Sequence, residues 1–263
     1  MFKFYQIPAL KATVAICGML AVVFNMINWT WLFVLYAVMA IGNGVAGHRY
    51  FGHHQFRVNR LGQFVMAALT TFAAYTSIHI WMAQHRQHHK YTDSPKDNHT
   101  PLKGFWHSFY FWQFKPQEIN YKSLGFISFY RDRNSVLSHI ARLPEVKFMS
   151  RHFVTIWIAI LITLISVDPI LFFTYCLAHL IETCRLGIIN TCTHTKLPGS
   201  YRLYNTNDNS YNNVFVGLLT FGFGWHNTHH GAPGKLILTE RWWELDIEGL
   251  IGLLFSKVFY RKK

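Results

Sequence analysis

Five apolar stretches constrain the fold of this chain more than any other feature. They lie at about residues 7–25, 28–47, 61–83, 153–167 and 169–190. A helix crosses a bilayer with about 20 mostly apolar residues, and these stretches are near that length. The composition agrees, because 51% of the residues are hydrophobic and only 14% are charged, against about 25% charged in a typical soluble domain. The chain is therefore expected to be a membrane protein, and this composition excludes a disordered chain.

Two pairs of apolar stretches predict helical hairpins. The first two stretches are separated only by Asn25-Met26-Ile27-Asn28, and no A-x-A cleavage site follows them, so we expect an uncleaved membrane hairpin. The last two are separated by Asp168-Pro169. Proline favours the start of a helix and pushes the preceding residue out of helical conformation. Each pair is thus predicted to cross the membrane and return.

The third stretch, 61–83, lies between two histidine clusters. If it crossed the membrane once, the clusters would lie on opposite sides. It is too short to cross twice, so we expect a buried or interfacial helix that does not span. The sequence therefore predicts an all-α integral membrane protein with one domain over 1–263 and four transmembrane helices in two hairpins. Residues 48–150 and 195–263 are expected to form a cytoplasmic helical layer that holds a di-metal site.

The distribution of charge predicts the orientation. Only Lys11 and Arg185 fall inside the four proposed spans, and the other 23 of the 25 basic residues lie on the face that carries the histidines. By the positive-inside rule this face, with both termini, is cytoplasmic. The net charge of +13 then indicates attraction to anionic membrane lipids, and a basic face also suits an acidic electron-donor protein. No nucleic-acid partner is expected, because no basic recognition helix or RNA-binding motif is present.

Three histidine clusters and one Asn–His pair stand out from the apolar pattern. Histidine accounts for 16 residues, most of them grouped as follows: His48 and His53; His85, His88 and His89; His226, His229 and His230; and Asn190 with His194. The remaining histidines are interpreted as structural or solvated: His54, His79, His99, His107, His139, His152 and His179. Four scattered cysteines, with no C-x-x-C pair, are expected to be buried small residues.

Helical spacing predicts how the clusters are presented. Residues at i, i+3 and i+4 share a face of a helix. The second and third clusters can therefore each direct three imidazoles to one point, and the Asn–His pair can do the same with two groups. His48 and His53 are five residues apart, which places them about 140° apart on a regular helix. Both reach one site only if the helix ends between them, and Gly47 and Gly52 would allow that break.

The ligand chemistry points to two transition metals. One ion rarely takes more than about six ligands, so ten candidate ligands imply two ions. Imidazole suits iron, copper, zinc and nickel. Because the set contains no carboxylate and no thiolate, calcium, magnesium and zinc-ribbon sites are disfavoured. The zinc-protease motif H-E-x-x-H and the carboxylate-rich di-iron bundle with Glu-x-x-His pairs are also absent from the sequence.

These motifs resemble the three histidine boxes of membrane fatty acid desaturases. The resemblance is closest to the stearoyl-CoA (delta-9) desaturase-like branch, which also has N-x3-H before its third box, matched here by Asn190 and His194. The stretch from Tyr91 to His99, Trp225-His-Asn-Thr-His-His230 and Trp242-Trp243-Glu244-Leu-Asp246 also resemble this branch. The similarity extends from about residue 28 to about 250. From Arg241 onward we expect an amphipathic interfacial helix.

The resemblance implies an O2-dependent acyl desaturase with two iron ions. The expected iron ligands are the ten candidates: His48, His53, His85, His88, His89, Asn190, His194, His226, His229 and His230. The expected substrate is a saturated chain of an acyl-CoA or acyl-lipid, which would receive a cis double bond, at delta-9 by resemblance. Electrons would come one at a time from an external donor, ferredoxin or cytochrome b5. An unactivated methylene has no acidic proton, so a redox metal is required.

Further expectations concern the substrate tunnel and the membrane interior. Tyr36, Met39, Ala40 and Gly44 lie at helical spacing before His48 and are candidates to line an acyl tunnel. Glu182 and Arg185 are ionisable residues within a span, where such groups are costly and often functional, and we expect them to pair.

Two departures from the family pattern stand in the site region. Phe223 replaces the family's usual glutamate before the third box. A carboxylate that orients metal-bound histidines is thus lost or supplied by another segment. Asn98 replaces the usual proline between Asp97 and His99.

Two alternative functions remain open on the sequence. A membrane di-iron hydroxylase of alkanes, carotenoids or sterols has similar histidine boxes and would yield a hydroxylated product. A membrane metal transporter or store would instead use the histidine-rich loops to pass ions, and it predicts ligands along a path through the bilayer. The clusters lie at the ends of the apolar stretches, which favours an enzyme.

Overall fold

A computed structural model describes residues 8–115 and 136–260, and most of these residues are helical. The α-helices are α1 (Pro8–Val23), α2 (Trp29–Ala40), α3 (Arg60–Phe72), α4 (Ile78–Tyr91), α5 (Phe105–Phe109), α6 (Val136–Ala141), α7 (Pro144–Arg151), α8 (Phe153–Val167), α9 (Pro169–Cys192), α10 (Val214–Leu219), α11 (His226–Gly231) and α12 (Ile247–Phe259). A π-helix (Ile41–Gly52) continues α2, and two 3₁₀ turns lie at Pro101–Lys103 and Phe111–Phe114. Strand β1 (Ser200–Tyr201) pairs antiparallel with β2 (Asn212–Asn213).

Helices flank both predicted turns, although α1 and α2 contact α9 more than each other. The turn between α1 and α2 places Asn25 at a φ of 51°, and the side chain of Asn28 accepts a hydrogen bond from the Trp31 amide to begin α2. Between α8 and α9, the Asp168 carboxylate accepts a bond from the Ile170 amide at 2.8 Å. Asparagine and aspartate are favoured at such N-caps because they satisfy an amide that has no partner within the helix.

The apolar helices identify an integral membrane protein. Two described helical segments are long and apolar enough to span a bilayer, Trp29–Gly52 and Pro169–Cys192, each with 24 residues. A third candidate combines α7 and α8, which meet at a 71° bend. Helix α1 has 16 residues, about 24 Å at 1.5 Å per residue, which is shorter than a hydrocarbon core of about 30 Å. The membrane topology with four spans therefore stays a prediction.

The hairpins pack around α9, which contacts α1, α2 and α8. Their shared core includes Met39, Trp157 and Tyr175, all at most 1% exposed. Gly18 allows α1 to approach closely, because a Cβ there would lie 2.8 Å from the Cys176 carbonyl oxygen. Small residues at such crossings are typical of helices in membranes.

The stretch 61–83 forms two helices instead of the single helix expected from its hydrophobicity. Helix α3 ends at Phe72, Ala74 adopts a φ of 54°, and α4 begins after Ser77. Helix α3 packs against the π-helix, and neither α3 nor α4 is among the candidate spans. The break lets α4 direct the second histidine box toward the first one.

The C-terminal helix begins later than predicted, at Ile247 and not at Arg241. The Glu244 carboxylate accepts hydrogen bonds from the backbone amides of Glu240 and Arg241, which closes a turn there. Asp246 then caps α12 by accepting from the Gly249 amide at 2.9 Å. Trp242 is 92% exposed, which agrees with the interfacial position proposed for this segment.

Candidate metal centre

The first histidine box lies on the π-helix and the residue that follows it. The helix ends between His48 and His53, as predicted, because its last residue is Gly52; its π-helical form was not predicted. In a π-helix each amide bonds to the carbonyl five residues earlier, and the His53 amide does so with the His48 carbonyl at 3.1 Å. Residues five apart are therefore brought to one face, and the ring centroids of His48 and His53 lie 5.0 Å apart.

The second and third boxes each divide between two metal-binding groups. The prediction that each box directs three imidazoles to one point is wrong. On a helix, residues at i and i+4 differ by about 40°, whereas i+3 lies about 60° to the other side. His85 and His89 accordingly point to one group and His88 to the other, while His226 and His230 point away from His229.

Cluster A is the larger group. It consists of His48, His53, His85, His89 and His229. The Nε2 atom of His229 lies 3.2 Å from that of His48 and 3.0 Å from that of His89. His85 Nε2 is 3.1 Å from His89 Nε2 and 2.5 Å from His53 Nε2. Five imidazole nitrogens from three separate chain segments thus converge on one point.

Cluster B is the second group, with His88, His194, His226 and His230. The Nε2 atoms of His226 and His230 are 3.1 Å apart, and the ring of His194 lies 5.0 Å from each of theirs between centroids. Asn190 lies near the end of α9, one turn before His194, and lines a cavity beside these rings. All ten predicted ligands therefore lie in one region.

Three aspartates lie next to cluster B, of which Asp97 is buried and Asp93 and Asp208 are partly exposed. The Nδ1 atoms of His88, His194 and His230 lie 3.0, 3.2 and 2.8 Å from carboxylate oxygens of Asp97, Asp93 and Asp208, respectively, in a one-to-one pairing. Metal-bound histidines commonly donate their second N–H to a carboxylate, which fixes the tautomer and ring orientation. The Nε2 atoms are thereby directed into the cluster.

The electrostatics differ between the clusters. In cluster A, burial lowers the pKa of His53 to about 3, and the charges of Arg49 and Arg86 act in the same direction. In cluster B, burial also lowers the pKa of His88, but the nearby aspartates, Asp97 first, outweigh it, so its pKa is raised. Burial also lowers the pKa values of His226 and His230 in cluster B, so the effect of the aspartates is seen at His88.

The residues fit two nitrogen-ligated transition metals. Metal–imidazole bonds of about 2.0–2.1 Å at right angles put neighbouring nitrogens about 3 Å apart, close to the 3.0–3.2 Å separations in cluster A. A bound cation would satisfy the lone pairs that face one another in these contacts. In cluster B, the buried Nε2 of His194 has no hydrogen-bond partner among the described residues.

A cavity lies between the clusters and was not evident from the sequence. Histidines form one part of its lining: His48, His85, His88, His99 and His226. Aromatic, aliphatic and amide side chains form the rest: Tyr75, Trp81, Gln84, Trp112, Leu186, Ile189, Asn190 and Phe223. His99, which the sequence suggests is structural or solvated, lies with its ring 4.3 Å from that of His88. No motif distinguishes the aromatic residues of this lining.

The four predicted tunnel residues lie outside the lining of this cavity. Met39 and Ala40 are buried in the helical core. The ring of Tyr36 lies 6.1 Å from that of Phe221. Gly44 faces Glu248, because a Cβ at position 44 would lie 2.1 Å from the glutamate oxygen. Their role in substrate binding stays a prediction.

A buried ion network adjoins the site. The expected pairing of Glu182 and Arg185 is confirmed, at 2.8 Å, and Arg185 also donates to Glu248 at 2.9 Å. Arg49 pairs with Asp246 at 2.7 Å. Phe223 lies between the two arginines, its ring centroid 5.8 Å from the Arg49 guanidinium and 5.6 Å from that of Arg185.

The C-terminal segment therefore supplies carboxylates near the position where Phe223 replaces the family's usual glutamate. These are Asp246 and Glu248, on a segment that the histidine motifs do not include.

Comparisons with known proteins agree with the motifs. A sequence model described as fatty acid desaturase matches residues 26–246. An acyl-CoA C20 Delta5-desaturase of Anemone leveillei is 29% identical over 81% of this chain and 66% of its own length. The delta-9 acyl-lipid desaturase 1 of Arabidopsis thaliana is 27% identical, over 85% and 72%. An sn-2 palmitoyl-lipid 9-desaturase of Nostoc sp. is 28% identical, over 82% and 72%. The chain spans about two thirds to three quarters of the length of these relatives.

Proposed function

The chain belongs to the fatty acid desaturase family, and we propose that it is an O2-dependent oxidoreductase that inserts a cis double bond into a saturated acyl chain. One observation carries this proposal: two histidine clusters adjoin a cavity that is otherwise lined mainly by apolar and aromatic side chains. An acyl chain needs such a lining, and C–H cleavage at an unactivated methylene needs a redox metal.

Clusters A and B would each hold one iron ion. When bound, the irons supply the one-electron redox chemistry for O2 reduction and C–H bond cleavage. In the balanced reaction, two adjacent methylenes lose two hydrogens, O2 takes these with two electrons and two protons, and two waters form with the double bond. Asn190, near cluster B, is the proposed tenth ligand.

The side chains around the cavity would position the substrate. Leu186 and Ile189 on α9 and the rings of Tyr75 and Trp112 form an apolar wall. Facing this wall are the histidines of both clusters. We place the two reacting methylenes between them, with the rest of the chain continuing toward Tyr36, Met39, Ala40 and Gly44. The buried lining excludes bulk water from the reacting carbons.

The substrate proposal is an acyl-CoA or acyl-lipid chain, with delta-9 as the position of the double bond. The names of the Arabidopsis and Nostoc relatives refer to delta-9 or 9-desaturation of lipids, and that of the Anemone relative to acyl-CoA. Membrane lipids would surround the apolar helices. We further propose that the histidine clusters and both termini face the cytoplasm.

Product analysis tests this proposal. The protein is expressed in a bacterium without O2-dependent desaturases, with a donor system, and membrane fatty acids are analysed by gas chromatography and mass spectrometry. A new cis double bond that requires O2 is expected, and its position and carrier are read from the same lipids. A hydroxylated lipid would instead establish the hydroxylase, and exchangeable metal without any product would support the transporter.

Narrowing the cavity is expected to lower activity without loss of iron. Leu186 lies on the cavity wall and is 6% exposed. A Leu186→Phe substitution would occupy space that the acyl chain needs, and a loss of about 1.4 kcal/mol in substrate binding corresponds to roughly a tenfold decrease in product. Leu186→Met, which nearly conserves volume, is the control. Unchanged product from the phenylalanine variant would place the substrate elsewhere.

The external donor, ferredoxin or cytochrome b5, is proposed to dock over a second opening. That opening is lined by His53, His85 and His89 of cluster A together with Arg86 and Lys90. An acidic donor surface would be attracted by the two basic residues, and electrons would enter cluster A over a short distance.

Charge reversal tests this docking surface. A Lys90→Glu substitution is expected to lower the rate of reduction by the protein donor roughly threefold to tenfold at low salt, and less at high salt. Reduction by dithionite and the iron content should stay unchanged. Lys257→Glu, at an exposed position on α12, is the control. Equal effects of the two substitutions would argue against docking at Lys90.

A further inference from the structure

We infer that the two metal sites are inequivalent and that cluster B binds the first metal, more tightly than cluster A. The inference rests on the di-iron centre proposed above and goes beyond it, because it assigns a different affinity to each site. The supporting observation is the unequal distribution of carboxylates, which contact the Nδ1 atoms of histidines in cluster B.

Three of the four histidines in cluster B face a carboxylate. The side chains of Asp97, Asp93 and Asp208 are only 0%, 6% and 12% exposed, respectively. Solvent and salt screen such buried charges weakly. Their combined effect at the cluster is therefore a persistent negative potential.

The loop backbone holds these aspartates independently of the histidines. Asp97 accepts hydrogen bonds from the amides of His99 and Asp93, each at 3.2 Å. Asp93 accepts from the Asn209 amide at 2.7 Å, and Asp208 from the Ser210 amide at 3.0 Å. Amide donors favour the ionised carboxylate, so the negative charges are built into the protein before a metal arrives.

Cluster A lacks this support. Within residues 8–115 and 136–260, no carboxylate oxygen lies within hydrogen-bond distance of its ring nitrogens, and the buried Nδ1 atoms of His48 and His229 have no partner. Positive charges lie near it, from Arg86 and from Arg49, which is paired with Asp246 at 2.7 Å. Cluster A also borders the opening that contains Lys90, through which an ion can exchange with solvent.

Charge compensation then decides the order of filling. Cluster A has one more imidazole, which favours it by ligand number. A buried dication without counter-charge is costly, however, and three carboxylates near cluster B offset that cost. A carboxylate behind a ligating histidine also raises its basicity, and the loss of one such partner typically weakens metal binding about 10–100-fold. We therefore expect at least about tenfold tighter binding at cluster B.

Stepwise metal loading distinguishes the sites. The full-length metal-free protein in detergent is titrated anaerobically with ⁵⁷Fe²⁺, with affinities from equilibrium dialysis and site populations from Mössbauer spectra. His53→Ala and His194→Ala isolate cluster B and cluster A, respectively. At one equivalent, the unmodified protein should give the single spectrum of the His53→Ala variant, and a second component should appear only at two equivalents.

Substitution of an aspartate that contacts a ligating histidine tests whether the carboxylates cause the difference in iron affinity. Added to the His53→Ala variant, Asp208→Asn should weaken iron binding at cluster B by about 10–100-fold, whereas added to the His194→Ala variant it should leave binding at cluster A unchanged. Asp93→Asn is a second variant for the same effect, with folding checked by circular dichroism. Glu240→Gln is the matched control, because that carboxylate contacts Tyr204 and Lys235.

Three results would overturn this inference. They are equal filling of both sites at one equivalent, filling of cluster A first, and equal weakening of both sites by Asp208→Asn. If the unmodified protein bound no iron, the proposed di-iron centre itself would be contradicted as well.

Discussion

Substitution of His229 with alanine is expected to abolish desaturation and to remove one of the two irons. His229 is fully buried, and its Nε2 contacts both His48 and His89. It therefore joins the first and second histidine boxes within cluster A. Loss of this nitrogen should lower product formation by more than the 10–100-fold that loss of a partner behind a ligand costs. Product analysis and iron content per chain measure the effect.

A histidine outside the clusters provides the control. His139 is exposed, and His139→Ala should retain both product and iron. The His229→Ala variant should still bind one iron at cluster B, because clusters A and B share no residue. Two irons with normal product in the His229→Ala variant would rule out a catalytic metal at cluster A.

Removal of the Arg185 guanidinium is expected to destabilise the protein by about 3–5 kcal/mol. The side chains of Arg185, Glu182 and Glu248 are 3%, 2% and 2% exposed. An Arg185→Leu substitution would leave two buried carboxylates without their cation. Chemical unfolding in detergent measures the change. The triple variant Glu182→Gln/Arg185→Leu/Glu248→Gln should recover part of the loss, because it removes the uncompensated charge.

The loss should increase with pH. Burial raises the pKa of Glu248 from 4.5 to about 8, although Arg185 lowers it. Without Arg185 this pKa rises further. An unfolded carboxyl releases its proton above about pH 4.5, but Glu248 stays protonated in both folded proteins until it ionises near pH 8 in the unmodified one. The deficit of the variant is therefore constant from pH 5 to pH 8 and grows above pH 8, where only the unmodified protein gains from this ionisation.

The exposed pair of Arg60 and Glu145 is the comparison for this prediction. The Arg60 side chain is 58% exposed, and Arg60→Leu should cause a far smaller loss because solvent screens the pair. A similar loss from both substitutions, or a loss that is independent of pH, would contradict the importance of the buried network.

Local periodicity explains how much of the fold could be predicted. Runs of apolar residues identified the hairpins, and Asn28 and Asp168 marked helix starts, because both signals depend on neighbours in the chain. The π-helix was missed, since a five-residue spacing on a regular α-helix demands a break. The division of 61–83 into α3 and α4 was also missed, because hydrophobicity does not reveal the positive φ of Ala74.

By itself, the sequence determined the chemistry that this protein can hold: imidazoles at helical spacing, an Asn–His pair and apolar helices. Only the tertiary structure decided how those groups divide into clusters A and B. His89 and His229 are 140 residues apart and meet only when α4 packs beside α11. The aspartates behind cluster B have no helical periodicity, and loop geometry alone places Asp93 and Asp208 against their histidines. Periodicity fixes which face a residue takes on its own helix, whereas contacts between helices depend on packing of the whole chain.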